Sequence, residues 1–211
     1  MTTINVTQMK EFFIECGESF KRNLEYLSEL DSALGDGDHG VSMAKGFNGV
    51  KELVGSKEFD DIGSMWMEAG KLMMKDIGGT CGPLFATIFI KGGMAAKGLR
   101  EIGAEQLSAM IKAGSEGVKA LGKADVGDKT MVDALAPAAA ALEASGAADI
   151  TGAAGLLYEA AEAGAIKTKD MKASKGRGRY QGEKSIGPQD AGAASVSIIF
   201  KALYDICRRY S

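Results

Sequence analysis

The chain has 211 residues, 45% hydrophobic and 25% charged, with a formal net charge of −3 at pH 7. That balance offers no basic field to attract nucleic acid or an anionic membrane surface, and no apolar run reaches the ~20 residues of a membrane span. The length suits a single domain over residues 1–211, the opening MTTINVTQMKEFF lacks the order of a secretion signal, and Cys16, Cys81 and Cys207 have no zinc-type spacing, so a reduced, cytoplasmic protein is expected.

From Thr7 to Leu30, Met9, Phe12, Phe13, Cys16, Phe20, Leu24, Leu27 and Leu30 recur at steps of three and four, which predicts one amphipathic helix ending near Asp31. A second helix begins between His39 and Ser42 and carries Met43, Phe47, Val50, Leu53 and Val54. A third runs from Asp60 to Met74, with Ile62, Met65, Trp66, Ala69, Leu72 and Met73 inward. IGGTCGPLF interrupts at Ile77–Phe85, after which ATIFIKGGMAAKGL resumes as helix despite its glycine pair. GAEQLSAMIKAGSEGVKALG, MVDALAPAAAALEAS, DITGAAGLLYEAAEAGAIKTKDMKA and GAASVSIIFKALYDICRRY complete the set. ATIFI and VSIIF look β-like only in isolation. The fold class expected is all-α: about eight helices in an antiparallel up-and-down bundle. In such a bundle the loops after odd-numbered helices share an end, which would bring the unusual loops together.

The first of these is LDSALGDGDHG, Leu30–Gly40, where Asp31, Asp36 and Asp38 precede the chain's only histidine. Two carboxylates ~4 Å apart repel by roughly 4 kcal/mol at an effective dielectric of about 20. The residues alone leave two readings: a solvated acidic bend, or a metal site. An EF-hand is excluded because the twelfth residue from Asp31 is Ser42 rather than glutamate. Oxygen-only donors suit Mg²⁺, which shares its shell with waters and phosphates. His39 is either a structural histidine or a phosphate donor. Gly78–Gly82, GGTCG, reads as a tight turn or as a phosphate cradle, and HGVS opens a helix whose N-terminus favours an anion. Two phosphate motifs fail: GVKALGKA has Ala124 where a Walker A loop needs Ser or Thr, and GRGRYQG misses the dinucleotide spacing by one residue. The late loop carries Lys175, Arg177, Arg179 and Lys184; it is either solvated surface or the source of an arginine for a migrating phosphoryl group.

LDSALGDGDHGVSM, GGTCGPLF, GDKTMVDALAP and KGRGRYQGEKSIGPQDAGA, in this order, closely resemble the L-subunit family of dihydroxyacetone kinase. The resemblance implies an eight-helix antiparallel barrel holding ADP and two Mg²⁺ ions at one end, with ATP as a transient form. By motif position it implies Asp31, Asp36 and Asp38 as Mg²⁺ ligands. His39, Gly40, Val41 and Ser42, with Thr80 and Cys81, would meet phosphates, and Gly78, Gly79 and Gly82 would shape that loop. Gly122 and Met131 would border the adenine, and Arg177 with Asp190, Ala191 and Gly192 would complete the site, Arg177 as the catalytic residue. It further implies two partners, an M-type phosphohistidine carrier and a K-type subunit that holds dihydroxyacetone. Alternatives are an ATP-dependent ketose kinase subunit working with a separate K-like chain, and a non-catalytic nucleotide-sensing adaptor; a homodimer is left open. Three positions depart from the family pattern: Cys81 where Ser is common, Pro188 for His, and Ala191 for Pro.

Overall fold

A computed structural model describes residues 1–211. Nine α-helices dominate: α1 Val6–Arg22, α2 Leu24–Ser32, α3 His39–Ser56, α4 Ile62–Asp76, α5 Cys81–Ala95, α6 Ala104–Gly122, α7 Val132–Ser145, α8 Ile150–Lys167 and α9 Ala191–Arg209. Short 3₁₀ turns cover Thr168–Asp170 and Gly178–Ser185. Each helix from α3 onward packs on its neighbour in sequence, α1 packs on α3, and α9 returns to α1, so the ring closes. No helix is long and apolar enough to cross a membrane.

The expected first helix is two. At Asn23 the side chain donates to the Ser19 carbonyl at 2.8 Å and the backbone leaves helical geometry (φ −102°, ψ 12°). An asparagine bonding back to the preceding turn competes with the helical ladder and bends it. The hydrophobic stripe passes across the break unchanged, so α1 and α2 act as one bent rod and the ring counts eight rods. The fifth helix begins at Cys81, four residues before the expected Phe85 boundary. Pro83 falls in its first turn, where an N–H has no intrahelical acceptor, so proline costs nothing there. One pairing was not expected at all: β1, Ile4–Asn5, lies antiparallel to β2, Glu101–Ile102.

Helix starts are fixed by side-chain caps at Asn5, Asp61, Asp149 and Asp190. The interior is one continuous apolar cluster centred on Phe12, Phe13, Trp66 and Phe89, with ring centroids 5.0 to 6.2 Å apart. Burying such a side chain contributes roughly 1.5–3 kcal/mol. Because neighbouring rods are antiparallel, the connections 33–38, 77–80, 123–131 and 168–190 emerge at one end of the ring. The β1–β2 pair and the remaining connections lie at the other.

Candidate functional site

The acidic bend leaves the last turn of α2. Asp31 is half-buried there, Asp36 and Asp38 are exposed in the bend, and each offers a carboxylate oxygen within 4.8 Å of the other two. Protein groups neutralise little of this charge. The His39 main-chain N–H donates to Asp31 Oδ2 at 3.3 Å, and the Arg177 guanidinium, reaching over from the 168–190 loop, pairs with Asp36. The donor set is therefore all oxygen, crowded and open to solvent, which fits a hard divalent cation that keeps part of its water shell.

Two helix starts adjoin it. α3 begins at His39 and α5 at Cys81, and neither N-cap residue, Asp38 or Thr80, caps its helix with its own side chain; only the His39 N–H is taken, by Asp31, so the other first-turn N–H groups and the positive ends of two helix dipoles lie at this region. Glycine is required at both. A Cβ on Gly40 would stand 2.1 Å from the Leu24 carbonyl oxygen, and one on Gly82 would stand 2.3 Å from the Ile77 carbonyl oxygen. Val41 is exposed, Thr80 is exposed with Gly78 and Gly79, and Ser42 faces Gly78.

His39 turns its ring the other way, into the barrel. Its Nε2 lies 2.8 Å from Ser195 Oγ on α9, and its Nδ1 lies 3.6 Å from Cys81 Sγ on α5. Since the Ser195 hydroxyl donates to the Ala191 carbonyl at 3.0 Å, Nε2 is assigned as the protonated donor and Nδ1 as the acceptor from the thiol. Burial holds the imidazole below its ordinary pKa, opposed by the Asp31 charge and the Ala191 carbonyl. Burial, and then the charges of Asp190, Asp31 and Asp38, push the Cys81 thiol up to about 12. The pair is neutral thiol and neutral imidazole, and it ties α3, α5 and α9 together. Of the expected phosphate donors, the His39 side chain is thus placed inside, while the main chain of residues 39–42 stays at the rim.

The far side is formed by the 123–131 connection and the start of α9. Gly122, at the end of α6, would place a Cβ 3.4 Å from Leu84 of α5, and Met131 packs against Gly192. Ala191 is the first residue of α9, and Asp190 caps that helix through Ala193 N at 2.8 Å. Burial raises the Asp190 carboxyl to about 6, assisted by Asp133 and opposed by the Ala193 N–H and by Lys129. The sequence-derived residues therefore share one end of the ring. Three supporting side chains are not among the expected site residues, although Lys129 and Asp133 lie in GDKTMVDALAP. Asp133 accepts from Gly127 N at 2.6 Å and Thr130 N at 2.7 Å, Ser195 seats His39, and buried Lys129 donates to the carbonyls of Thr168 and Pro188, each at 2.6 Å. A separate outer groove of about 400 Å³ between the α1–α2 rod, α8 and α9 contains none of the predicted residues, and its Arg22 and Lys201 are paired with Glu15 and Asp205.

Residues 33–205 match the family model described as the DAK2 domain. The chain belongs to the DAK2 family. This DAK2 chain is 40% identical over 187 residues to a protein of Listeria innocua named PEP-dependent dihydroxyacetone kinase 1, ADP-binding subunit DhaL, covering 89% of each. It is 37% identical over 203 residues to the Escherichia coli PEP-dependent dihydroxyacetone kinase, ADP-binding subunit DhaL, covering 95% of this chain and 97% of that one. Among solved structures, the dihydroxyacetone kinase of C. freundii in complex with AMP-PNP and Mg²⁺ superposes with a TM-score of 0.72 at 25% identity. That match takes in 97% of the DAK2 chain, which spans about a third (34%) of the C. freundii chain. All four loop segments that build the rim fall inside or at the edge of the DAK2 match, Asp31 alone lying two residues before it.

Proposed function

We propose that this chain is the ADP-binding subunit of a dihydroxyacetone kinase, a single L-type domain working in the cytoplasm. In this reading the chain would hold Mg²⁺–ADP as a bound cofactor, with ATP as its transient form, which would supply the relay for a phosphoryl group between a phosphohistidine carrier and dihydroxyacetone on a K-type subunit. The observation that carries it is the meeting of Asp31, Asp36 and Asp38 with two helix starts whose N-cap side chains make no cap, at one end of the ring. A diphosphate needs both features: N–H groups aimed at its oxygens and carboxylates to hold its counter-ions. Similarity along nearly the full length to relatives named ADP-binding subunits supports the same reading.

Asp31, Asp36 and Asp38 would hold two Mg²⁺ ions, which when bound supply charge neutralisation to phosphate oxygens. The residues' own tasks follow from their placement. Main-chain N–H groups of Gly40, Val41 and residues 80–82 bind the phosphate tail, Gly78 and Gly79 keep that approach free of side chains, and His39 holds the two helix starts together rather than touching the nucleotide. Gly122 and Met131 border the adenine, with Ala191 and Gly192 behind them. Arg177, mounted on the 168–190 loop, brings a guanidinium beside the acidic bend where charge develops on the migrating group. Positioning and charge carry such a transfer, so no nucleophile on this chain is required, consistent with the silent Cys81 thiol.

Native mass spectrometry of the protein as purified tests this directly. The expected mass is that of the chain with one ADP and two magnesium ions. Protein that emerges free of nucleotide, and that turns over ATP and triose with a K-type subunit but no carrier, would reject the carrier-dependent version in favour of an ATP-dependent kinase subunit. Unchanged transfer by Arg177→Ala would remove Arg177 from the catalytic role, and absence of transfer with any partner would point to an adaptor.

A further inference from the structure

Lys129 is 2% exposed, and its backbone lies in the left-handed region (φ 58°), an unfavourable setting for a lysine. Its Nζ makes two charge-assisted hydrogen bonds, to the main-chain carbonyls of Thr168 and Pro188 rather than to a carboxylate. Those carbonyls mark the two stems of the 168–190 loop. Nearby bonds close the same neck: Gly187 N donates to Lys169 O at 2.8 Å and Asp190 N to Thr168 Oγ1 at 2.9 Å. At the loop's middle stands Arg177, paired with Asp36. Two residues beyond Lys129, Met131 packs against Gly192 on the other wall of the rim.

We infer that Lys129 is a positioning residue: its ammonium clamps both stems of the arginine loop to the connection before α7 and so fixes where Arg177 stands over the acidic bend. A buried cation donating to carbonyls from two chain segments 20 residues apart holds backbone to backbone, and removing its donors leaves only the Gly187–Lys169 and Asp190–Thr168 bonds to close the neck, without touching the ring. The same clamp joins the Met131 wall to the arginine loop, so a ligand seated between them meets one rigid surface. The catalytic consequence rests on the proposed function; the mechanical one does not.

The test pairs Lys129→Met, of similar length without donors, with Lys129→Gln, which keeps an N–H₂ on a shorter arm. Trypsin cleavage after Lys175, Arg177, Arg179 or Lys184 is followed by mass spectrometry in nucleotide-free protein. Loop cleavage should accelerate on the order of tenfold in Lys129→Met and less in Lys129→Gln, with sites on the helices unchanged, because only a local opening has become easier. In the reconstituted transfer assay, kcat should fall on the order of tenfold while the nucleotide Kd moves less than about threefold, the signature of an interaction made in the transition state alone. Unchanged loop cleavage, a uniform rise at all sites, failure of both variants to fold, or unaltered kcat with a loosened loop would each overturn the positioning role. Wild-type protein that binds no nucleotide would reject the functional reading alone, since the cleavage arm still decides the clamp.

Discussion

Asp190 ties stability to pH through one carboxyl. Its ordinary pKa of 3.8 is raised to about 6, chiefly by burial and further by the charges of Asp133 and Asp31. The folded state thus keeps the proton over a range in which the unfolded chain has already released it. The stabilisation is complete below about pH 4 and is lost as pH rises through about 6. A gap of about two units at 1.36 kcal/mol each corresponds to about 3 kcal/mol between pH 4 and pH 7.5. Asp190→Asn cannot ionise and still offers an oxygen to the Ala193 N–H, so the helix cap survives. The variant should match the wild type near pH 4 and exceed it by about 3 kcal/mol at pH 7.5, worth roughly 6–12 °C in Tm for a chain of this size. Urea unfolding of both proteins from pH 4 to pH 8, with chelator and without nucleotide, measures the difference. A difference that stays flat between pH 5 and pH 7.5 would refute the reasoning.

Three further outcomes are expected. Asp36→Ala should lose Mg²⁺-dependent nucleotide binding, read by calorimetry, and with it the ligand's stabilisation of ~4 kcal/mol at a thousandfold excess over Kd. Gly40→Ala forces a Cβ to 2.1 Å from a main-chain oxygen, so unfolding by urea should show a loss of ~1–3 kcal/mol, the usual cost of overpacking. His39, the only histidine, should give one NMR resonance titrating below 6.5, and its depressed pKa makes the folded state lose stability as pH falls through that value.

Most of the ring was legible because steps of three and four in Met9, Phe12, Phe13, Cys16 and Phe20 persist through every rod. The parity of the loops then followed from antiparallel packing, and it placed the acidic bend beside GGTCG and the arginine loop. Asn23 was not legible, since its break changes no hydrophobic position and depends on one amide bonding back to Ser19. Cys81–Phe85 read as loop because glycine and proline are helix breakers in general, yet both suit a first turn. The β1–β2 pair is two residues long on each side, too short for alternation to register. The sequence leaves His39 between two roles because its partners, Ser195 and Cys81, lie 156 and 42 residues away. Lys129 and Asp133 lie in the motif GDKTMVDALAP, but nothing in that pattern tells their roles, because their partners are main-chain groups that only the folded loops bring near.

The alternation of loop ends divides the molecule's tolerance of change. Residues facing the β1–β2 end carry none of the chemistry, so a fluorophore or affinity tag spliced between Gly146 and Asp149 would ride on the opposite pole from Arg177. Labelled there, the protein becomes its own reporter: polarisation would register docking at the far rim while the mark itself stays clear of the event.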